Sequence, residues 1–170
     1  IYKSADRCSS WTLVHQRFDA EHLIILKDSI LLCGTYSSGV LRSTNNGGTW
    51  TQVNTGLDVS DVKSLISQND SIVIAGTALG VYRTTDQGES WTRHTSGLGF
   101  VSLHDFHISD SGDFFVGGFG GFWRSTDGGA SWISKINGIP NPDVYLVEAT
   151  SDGKLFAGTP YGLYRSTNNG

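Results

Sequence analysis

The sequence predicts an all-β fold built from one four-stranded unit that recurs about every 41 residues. Three observations lead to this prediction. An eight-residue motif returns at a nearly constant step, and short apolar runs alternate with turns rich in Gly, Asn and Asp. No window places apolar residues at the i, i+3, i+4, i+7 spacing of a helix. The 22 glycines and a charged fraction of only 16% fit a protein with many tight turns.

The repeated motif reads Ser-x-Asp-x-Gly-x-x-Trp and is called the box below; its fullest copy is Ser125–Trp132. Copies begin at residues 4, 43, 84, 125 and 166, in steps of 39, 41, 41 and 41. Asn replaces the Asp in the second and fifth copies, and Cys8 occupies the glycine position of the first. The predicted structural residues of the boxes are Ser4, Asp6, Trp11, Ser43, Asn45, Gly47, Trp50, Thr84, Asp86, Gly88, Trp91, Ser125, Asp127, Gly129, Trp132, Ser166, Asn168 and Gly170.

Each repeat carries four strand signals, seen most clearly between residues 62 and 95. We predict strands at Val62–Ser67, Ile72–Thr77, Val81–Thr84 and Trp91–His94, because these runs are rich in Val, Ile, Thr and aromatic residues. The box lies between the third and fourth strands. The turn between the second and third strands lies at the opposite end, with the connections between repeats; we call that end the loop face.

A repeated four-stranded antiparallel unit of this length predicts a β-propeller. One blade cannot bury both of its faces, so each blade stacks on its neighbours. The predicted blades are 1–16 (the end of one), 20–57, 61–98, 102–139 and 143–170 (a partial one). A closed four-bladed ring would contain the third strand and half a box twice. The preferred interpretation is therefore part of a six- to eight-bladed ring, with the remaining blades of the parent chain as partners.

Composition argues against several classes of function. The net charge is −4 and the basic residues are scattered, which does not fit a nucleic-acid binder. No apolar run approaches the roughly 20 residues of a membrane helix, so we expect no membrane insertion. No metal-ligand spacing, phosphate loop or nucleophile elbow is present, so no cofactor is expected. Cys8 and Cys33 fall in different repeats and are expected to be free thiols.

Turn chemistry explains the box without catalysis. The Asp or Asn side chain is expected to accept hydrogen bonds from backbone N–H groups one or two residues later. The following Gly can adopt a positive φ, and the Trp is expected to cover the hairpin. Because Asn45 and Asn168 replace Asp in two copies, the position does not require a carboxylate.

The boxes resemble the Asp-box, or bacterial neuraminidase repeat, over nearly the whole chain. That repeat occurs in sialidases, xyloglucan-active glycoside hydrolases, sortilin-type receptors and photosystem II assembly factors. The resemblance implies a propeller fold, but one scaffold hosts many activities. A sialidase would be expected to carry an Arg-Ile-Pro motif, which this sequence lacks.

Candidate catalytic groups do not form a clear constellation in the sequence. Arg42, Arg83, Arg124 and Arg165 recur once per blade just before the box, so we expect them to be structural and to tie neighbouring turns together. The acids on or near the loop face are interpreted as solvated; they are Asp58, Asp61, Asp105 and Asp143. His104 and His107 should point to opposite faces of a strand, which disfavours a metal site.

We therefore expect a non-catalytic recognition or scaffold module of a secreted, periplasmic or cell-surface protein, with a protein or glycan as its ligand. Candidate ligand-contacting aromatics on the loop face are Tyr36, Phe100, Phe119 and Tyr161. The alternatives are a sialidase-like or xyloglucanase-like glycoside hydrolase whose catalytic residues lie partly outside this chain, and an assembly factor similar to the photosystem II type.

Overall fold

The computed structural model describes residues 1–16, 19–99, 101–140 and 143–168, and it is all-β over those ranges. The only helical turn among them is a 3₁₀ turn at Lys27–Ser29, so none of the described helices could span a membrane. The strands form five antiparallel sheets.

The strands of each sheet follow one another along the chain. The first sheet contains β1 (Tyr2–Lys3) and β2 (Thr12–Leu13). The second contains β3 (Ala20–Ile25), β4 (Leu31–Thr35), β5 (Val40–Ser43) and β6 (Thr51–Gln52). The third contains β7 (Val62–Gln68), β8 (Ile72–Thr77), β9 (Gly80–Thr84) and β10 (Thr92–Arg93). The fourth contains β11 (Leu103–Ile108), β12 (Phe114–Gly118), β13 (Gly121–Ser125) and β14 (Ile133–Ser134). The fifth contains β15 (Leu146–Ala149), β16 (Leu155–Thr159) and β17 (Gly162–Ser166).

The hydrophobic cores lie between neighbouring sheets. One cluster joins Leu32 and Val40 of the second sheet to Val73 of the third. The next cluster joins Ile74 of the third sheet to Phe114 of the fourth. A last cluster includes Phe115 of the fourth sheet and Leu155 of the fifth, and the first strands of successive sheets also contact one another. The sheets therefore stack side by side, as the blades of a propeller do.

The two end sheets leave exposed the surfaces that the middle sheets bury. Strand β17 is mostly exposed, whereas the equivalent strands β9 and β13 are mostly buried. Both strands of the first sheet are also largely exposed. These exposures do not fit the closed four-bladed alternative, in which the first and last sheets would cover one another. The described chain is a partial propeller.

The fourth strand of the third sheet is shorter than predicted. The predicted strand Trp91–His94 shortens to Thr92–Arg93. The reason is that the backbone N–H of Trp91 donates to the carbonyl of Thr55 in the preceding sheet, at 2.8 Å. The Trp91 N–H therefore bonds to the preceding repeat and not to a neighbouring strand of its own sheet.

Candidate binding site on the loop face

The boxes form closed hydrogen-bonded turns at the end of the molecule opposite the loop face. In the fourth sheet the Ser125 hydroxyl donates to Asp127 Oδ1 at 2.7 Å and accepts from the Gly129 N–H at 2.9 Å. Asp127 Oδ1 also accepts from the N–H of Ser131, at 2.9 Å. The carboxylate thus bridges to a residue four positions later, not one or two as predicted, because the turn doubles back after the positive-φ glycine.

The other copies share this geometry where the structure describes them. Cys8 takes a φ of 70° at the position where Gly88 and Gly129 have 86° and 82°. In the fifth copy Ser166 donates to Asn168 Oδ1 at 2.7 Å, and Gly170 lies outside the described residues.

Asn and Asp use the seventh box position differently. The Ser131 hydroxyl donates to Asp127 Oδ2, whereas in the second copy Asn45 Nδ2 donates to the Thr49 hydroxyl at 2.9 Å. The hydroxyl reverses its role, and the turn keeps the same number of bonds. This reversal explains how an amide can replace the acid without loss of the turn.

The hydrogen bonds also lower the pKa of the box carboxylates. The hydroxyl of Ser10, followed by its N–H, lowers the pKa of Asp6 from 3.8 to about 2. For Asp127, partial burial acts to raise the pKa, but bonds from Ser131 and Ser125 outweigh it and lower the value to about 2. These carboxylates are charged hydrogen-bond acceptors with a structural task.

Trp91 and Trp132, the tryptophans of the third and fourth boxes, are buried between sheets. Trp91 Nε1 donates to the carbonyl of Val53 at 3.0 Å, and the Trp132 backbone N–H donates to the carbonyl of Ser96 at 3.0 Å. A Cβ built on Gly97 would lie 1.8 Å from the carbonyl oxygen of Trp132. The Gly after the fourth strand of the second and third sheets, Gly56 and Gly97, is therefore needed for the close approach of the next sheet.

The residue before each of the first three boxes ties one turn to the next. Arg42 Nε donates to the carbonyl of Gln87 at 3.0 Å, and Arg83 Nε donates to that of Gly128 at 2.9 Å. Lys3 makes the same link to Asn46 at 2.6 Å. The predicted tie between neighbouring turns is present at these positions. Arg124 also pairs within its own sheet, with Asp113 at 2.6 Å.

On the loop face, by contrast, one column of the repeat carries unlike side chains. The first strands of three sheets each contain a β-bulge, and the bulged residues are Glu21, Lys63 and His104. In the fifth sheet Tyr145 occupies the same column, immediately before β15. Bulges redirect side chains and are over-represented beside functional sites. We call this row Glu21–Lys63–His104–Tyr145 the rim.

A cavity of about 390 Å³ opens at the rim, lined by Glu21, Tyr36, Asp61, Lys63 and His104. Lys63 Nζ lies 3.1 Å from the Ser102 hydroxyl and 3.9 Å from Asp61 Oδ2. Two buried polar atoms, Asp61 Oδ1 and His104 Nε2, have no hydrogen-bond partner among the described protein atoms. Both belong to side chains that line this cavity. We call it the rim cavity.

An aromatic cluster adjoins the rim cavity through His104. The His104 ring stacks on Tyr145 at a centroid distance of 4.6 Å and meets Phe119 edge-on, also at 4.6 Å. Burial, followed by the charge of Lys63, lowers the pKa of His104, although Asp143 acts to raise it. The imidazole is therefore neutral at neutral pH, with one ring nitrogen able to donate and the other to accept.

The predicted aromatic candidates fall on this face in part. Tyr36, Phe119 and Tyr161 are 57%, 45% and 75% exposed. Tyr36 lines the rim cavity and Phe119 belongs to the aromatic cluster, whereas Tyr161 lies on the fifth sheet outside both. Phe100 lies outside the described residues.

The sequence predicts that the four loop acids are solvated; Asp58 is exposed, and Asp58, Asp105 and Asp143 also accept hydrogen bonds from the protein. Asp58 accepts from the Tyr82 hydroxyl, and Asp143 accepts from the Gly120 N–H at 3.0 Å. Asp105 lies on β11, where its Oδ2 accepts from the Val147 N–H at 2.8 Å and links two sheets. Of the four, Asp61 lines the rim cavity, and its Oδ1 is buried without a hydrogen-bond partner among the described protein atoms.

The two histidines have different neighbours. His104 joins the aromatic cluster, whereas His107 Nδ1 lies 3.2 Å from Glu148 Oε1 on β15. Within the described residues, no three His, Cys, Asp or Glu side chains are placed to hold a metal ion. Cys8 and Cys33 are free thiols, as predicted, and burial raises the pKa of Cys33.

Reasoning from the sequence missed Glu21, Lys63 and Tyr145. A signal was available, since these residues and His104 share one column of the repeat, yet they differ in charge and shape while the box columns stay uniform. Variation at one column of a regular repeat is typical of positions whose side chains need not fit the same neighbours in every repeat.

Comparisons with known proteins bear on the fold. No family model matches the chain, and no curated protein matches it. Among solved structures, the chain is similar to an ancestral GH74 enzyme, with a TM-score of 0.77 and 19% identity, over 96% of this chain and 25% of that one. It is also similar to the extracellular domain of a B. thetaiotaomicron protein named as a one-component system, with a TM-score of 0.77 and 18% identity, over 97% and 24%.

A third similar structure is YCF48 bound to D1 peptide, with a TM-score of 0.71 and 16% identity, over 98% of this chain and 58% of that one. The chain thus spans about a quarter of the first two proteins and somewhat more than half of the third. At these identities the similarity concerns the fold alone. Together with the stacked antiparallel sheets, it identifies the chain as part of a β-propeller.

Proposed function

We propose that the chain is part of an Asp-box propeller that acts as a non-catalytic recognition or scaffold module and binds a protein or glycan by its loop face. The observation that carries this proposal is the rim, where unlike side chains from four sheets line up on an otherwise repetitive scaffold. Exposed Tyr36 and Phe119 lie beside it and supply apolar contact area. The turns joining second to third strands are short, which leaves little material for a deep catalytic cleft.

We place the module outside the cytoplasm, in a secreted, periplasmic or surface protein. Support comes from the similarity to an extracellular domain of B. thetaiotaomicron. Expression of the parent gene with a protease-accessible tag, followed by digestion of intact cells, tests this placement. A tag that stays protected both in intact cells and in cells whose outer membrane has been permeabilised would contradict it.

The loop-face proposal is tested by screening the 170-residue chain against a glycan array and a displayed random-peptide library. We expect Tyr36→Ser and Phe119→Ser to weaken any ligand found by tenfold or more. The matched control is Trp11→Ser, another exposed aromatic, located at the box end. Loss of binding in the control alone would contradict recognition by the loop face.

A glycoside hydrolase is the second candidate, favoured by one feature. Glu21 and Asp61 both line the rim cavity, and glycosidases commonly use a pair of carboxylates. Assays of the parent protein on xyloglucan and sialyl substrates decide between the two. Turnover that disappears with Asp61→Asn, Asp105→Asn or Asp143→Asn would favour the enzyme and overturn the non-catalytic proposal.

A further inference from the structure

We infer that the rim cavity binds a neutral, hydroxyl-rich sugar residue, with Asp61 and Lys63 as its hydrogen-bonding pair and Tyr36 as an apolar wall. This inference rests on the proposed function and narrows its ligand to glycans.

Two buried polar atoms on residues that line the rim cavity lack a hydrogen-bond partner among the described protein atoms. Buried polar atoms nearly always find a hydrogen-bond partner, so each exception needs a specific explanation. Asp61 Oδ1 and His104 Nε2 are two such exceptions, on two different sheets, and their side chains line the same cavity. Both atoms are shielded from solvent in the free chain, so a ligand hydroxyl would pair with them when the two side chains turn towards the cavity.

The polar side chains that line the rim cavity include both hydrogen-bond donors and hydrogen-bond acceptors. Glu21 and Asp61 supply carboxylate acceptors, Lys63 supplies an ammonium donor, and the neutral imidazole of His104 supplies one of each. A hydroxyl both donates and accepts, so a polyol can satisfy every member of this set. An anionic ligand would face two repulsive carboxylates, Glu21 and Asp61, and a cationic ligand would face the repulsive ammonium group of Lys63.

Aromatic side chains lie in and beside the rim cavity. The Tyr36 ring lines the cavity, and His104 connects it to the Phe119 and Tyr145 rings. Aromatic faces carry partial negative charge, which attracts the polarised C–H groups on one face of a sugar ring. A small concave site with apolar walls and a few converging polar groups has the usual form of a small-ligand pocket.

The cavity forms only by assembly of neighbouring sheets. Glu21 and Tyr36 come from the second sheet, Lys63 from the third and His104 from the fourth. The bulges direct these side chains out of the regular strand alternation. Stacking of rigid sheets therefore preorganises the site, which lowers the entropic cost of binding.

The test uses saturation-transfer NMR and calorimetry on the 170-residue chain, with methyl glycosides of glucose, galactose, mannose and xylose and with neutral oligosaccharides built from them. We expect at least one neutral oligosaccharide to bind, and Asp61→Asn or Lys63→Gln to weaken it at least tenfold. Tyr36→Ala should weaken it at least fivefold. Thermal unfolding of every variant establishes that it remains folded.

The matched controls are Lys27→Gln and Asp70→Asn, which alter an ion pair at 3.3 Å near the opposite end of the sheets. These controls should leave the affinity for the sugar within twofold of wild type. Arrays of sialylated and uronic-acid glycans, together with a basic peptide library, complete the set of probes.

The outcomes separate this inference from the broader proposal. Binding to a protein or peptide that Asp61→Asn abolishes, with no sugar binding, would overturn the sugar inference and leave loop-face recognition intact. Preference for acidic glycans over neutral ones would also overturn it. Sugar binding that only the control variants weaken would overturn both proposals.

Discussion

The box end and the loop face of the same sheets differ in how their chemistry repeats. At the box end, Ser43, Thr84 and Ser125 make the same pair of hydrogen bonds in three successive sheets. At the loop face, the rim presents Glu, Lys, His and Tyr in successive sheets. The comparison indicates that the box end repeats one turn and packing geometry, whereas the rim makes different contacts in successive pairs of sheets, such as Lys63 with Ser102 and His104 with Tyr145.

If this division is correct, changes at the box end should alter the free energy of unfolding and leave ligand binding unchanged. Changes at the rim should do the reverse. At the box end, the expected losses in the free energy of unfolding decrease from Trp132 through Gly97 to Asp127.

Trp132→Ala should reduce the free energy of unfolding by about 3–5 kcal/mol, because it removes a large side chain that is 3% exposed and packs between sheets. Trp11→Ala, at the same box position, should change it by about 1 kcal/mol or less, since Trp11 is 59% exposed. Urea unfolding followed by far-UV circular dichroism measures both. Equal losses in the two variants would show that the buried tryptophan does not hold the sheets together.

Gly97→Ala should cost about 2–4 kcal/mol, because its Cβ would lie 1.8 Å from the carbonyl oxygen of Trp132 at a φ of 83°. Gly138 occupies the same column with a φ of 87°, and a Cβ there meets nothing within 4 Å. Gly138→Ala should therefore lose only the backbone strain, about 1–2 kcal/mol. Denaturant titration of the two variants in parallel gives the difference, which should disappear if close sheet approach is unimportant.

Asp127→Asn should make a smaller, pH-dependent change. The pKa of Asp127 is about 2 in the folded chain and 3.8 in the reference state, so its stabilising contribution is complete above about pH 4 and is lost as the pH falls towards 2. We expect a loss of about 1 kcal/mol or less at pH 7, because the group is exposed and screened. The difference between variant and wild type should shrink between pH 4 and pH 2.

The converse change provides the control for that titration. Asn45→Asp places a carboxylate in a box that lacks one, beside the Thr49 hydroxyl. It should introduce a loss of stability between pH 4 and pH 2 that wild type does not have at this box. Urea unfolding midpoints measured at pH 7, 4, 3 and 2 compare all three proteins. A wild type whose stability is as insensitive to acid as Asp127→Asn would contradict the hydrogen-bonded turn.

Much of the fold could be predicted from the sequence because its signals are local. The box copies set the repeat length, and the positive φ at Gly88 and Gly129 was expected from glycine at that position of the turn. The reach of Asp127 to Ser131 was not predicted, since it depends on how the chain doubles back after the glycine. The position of Trp91 between sheets was also missed, because it depends on the carbonyls of Val53 and Thr55 in the preceding repeat.

The candidate site, like the fold, could be predicted from the sequence only where its signals are local. Tyr36 and Phe119 could be proposed from composition and turn position, but nothing local distinguishes Asp61 from Asp58 or Asp143. Only the stacked sheets show that Asp61 lines a cavity and keeps a buried oxygen without a partner, while Asp58 bonds to Tyr82. Bulges at Glu21, Lys63 and His104 depend on pairing registers, which alternation in one strand does not reveal.

The sequence by itself determined the repeating four-stranded unit, the box turns and the all-β class, because backbone conformation, turn hydrogen bonds and apolar alternation act over a few residues. The tertiary structure decided which side chains meet across sheets, from the Trp132 contact with Gly97 to the cavity shared by Glu21, Asp61 and His104. These contacts between sheets depend on how rigid sheets stack and how closely their backbones approach one another. The stacking alone brings residues of different repeats into one site.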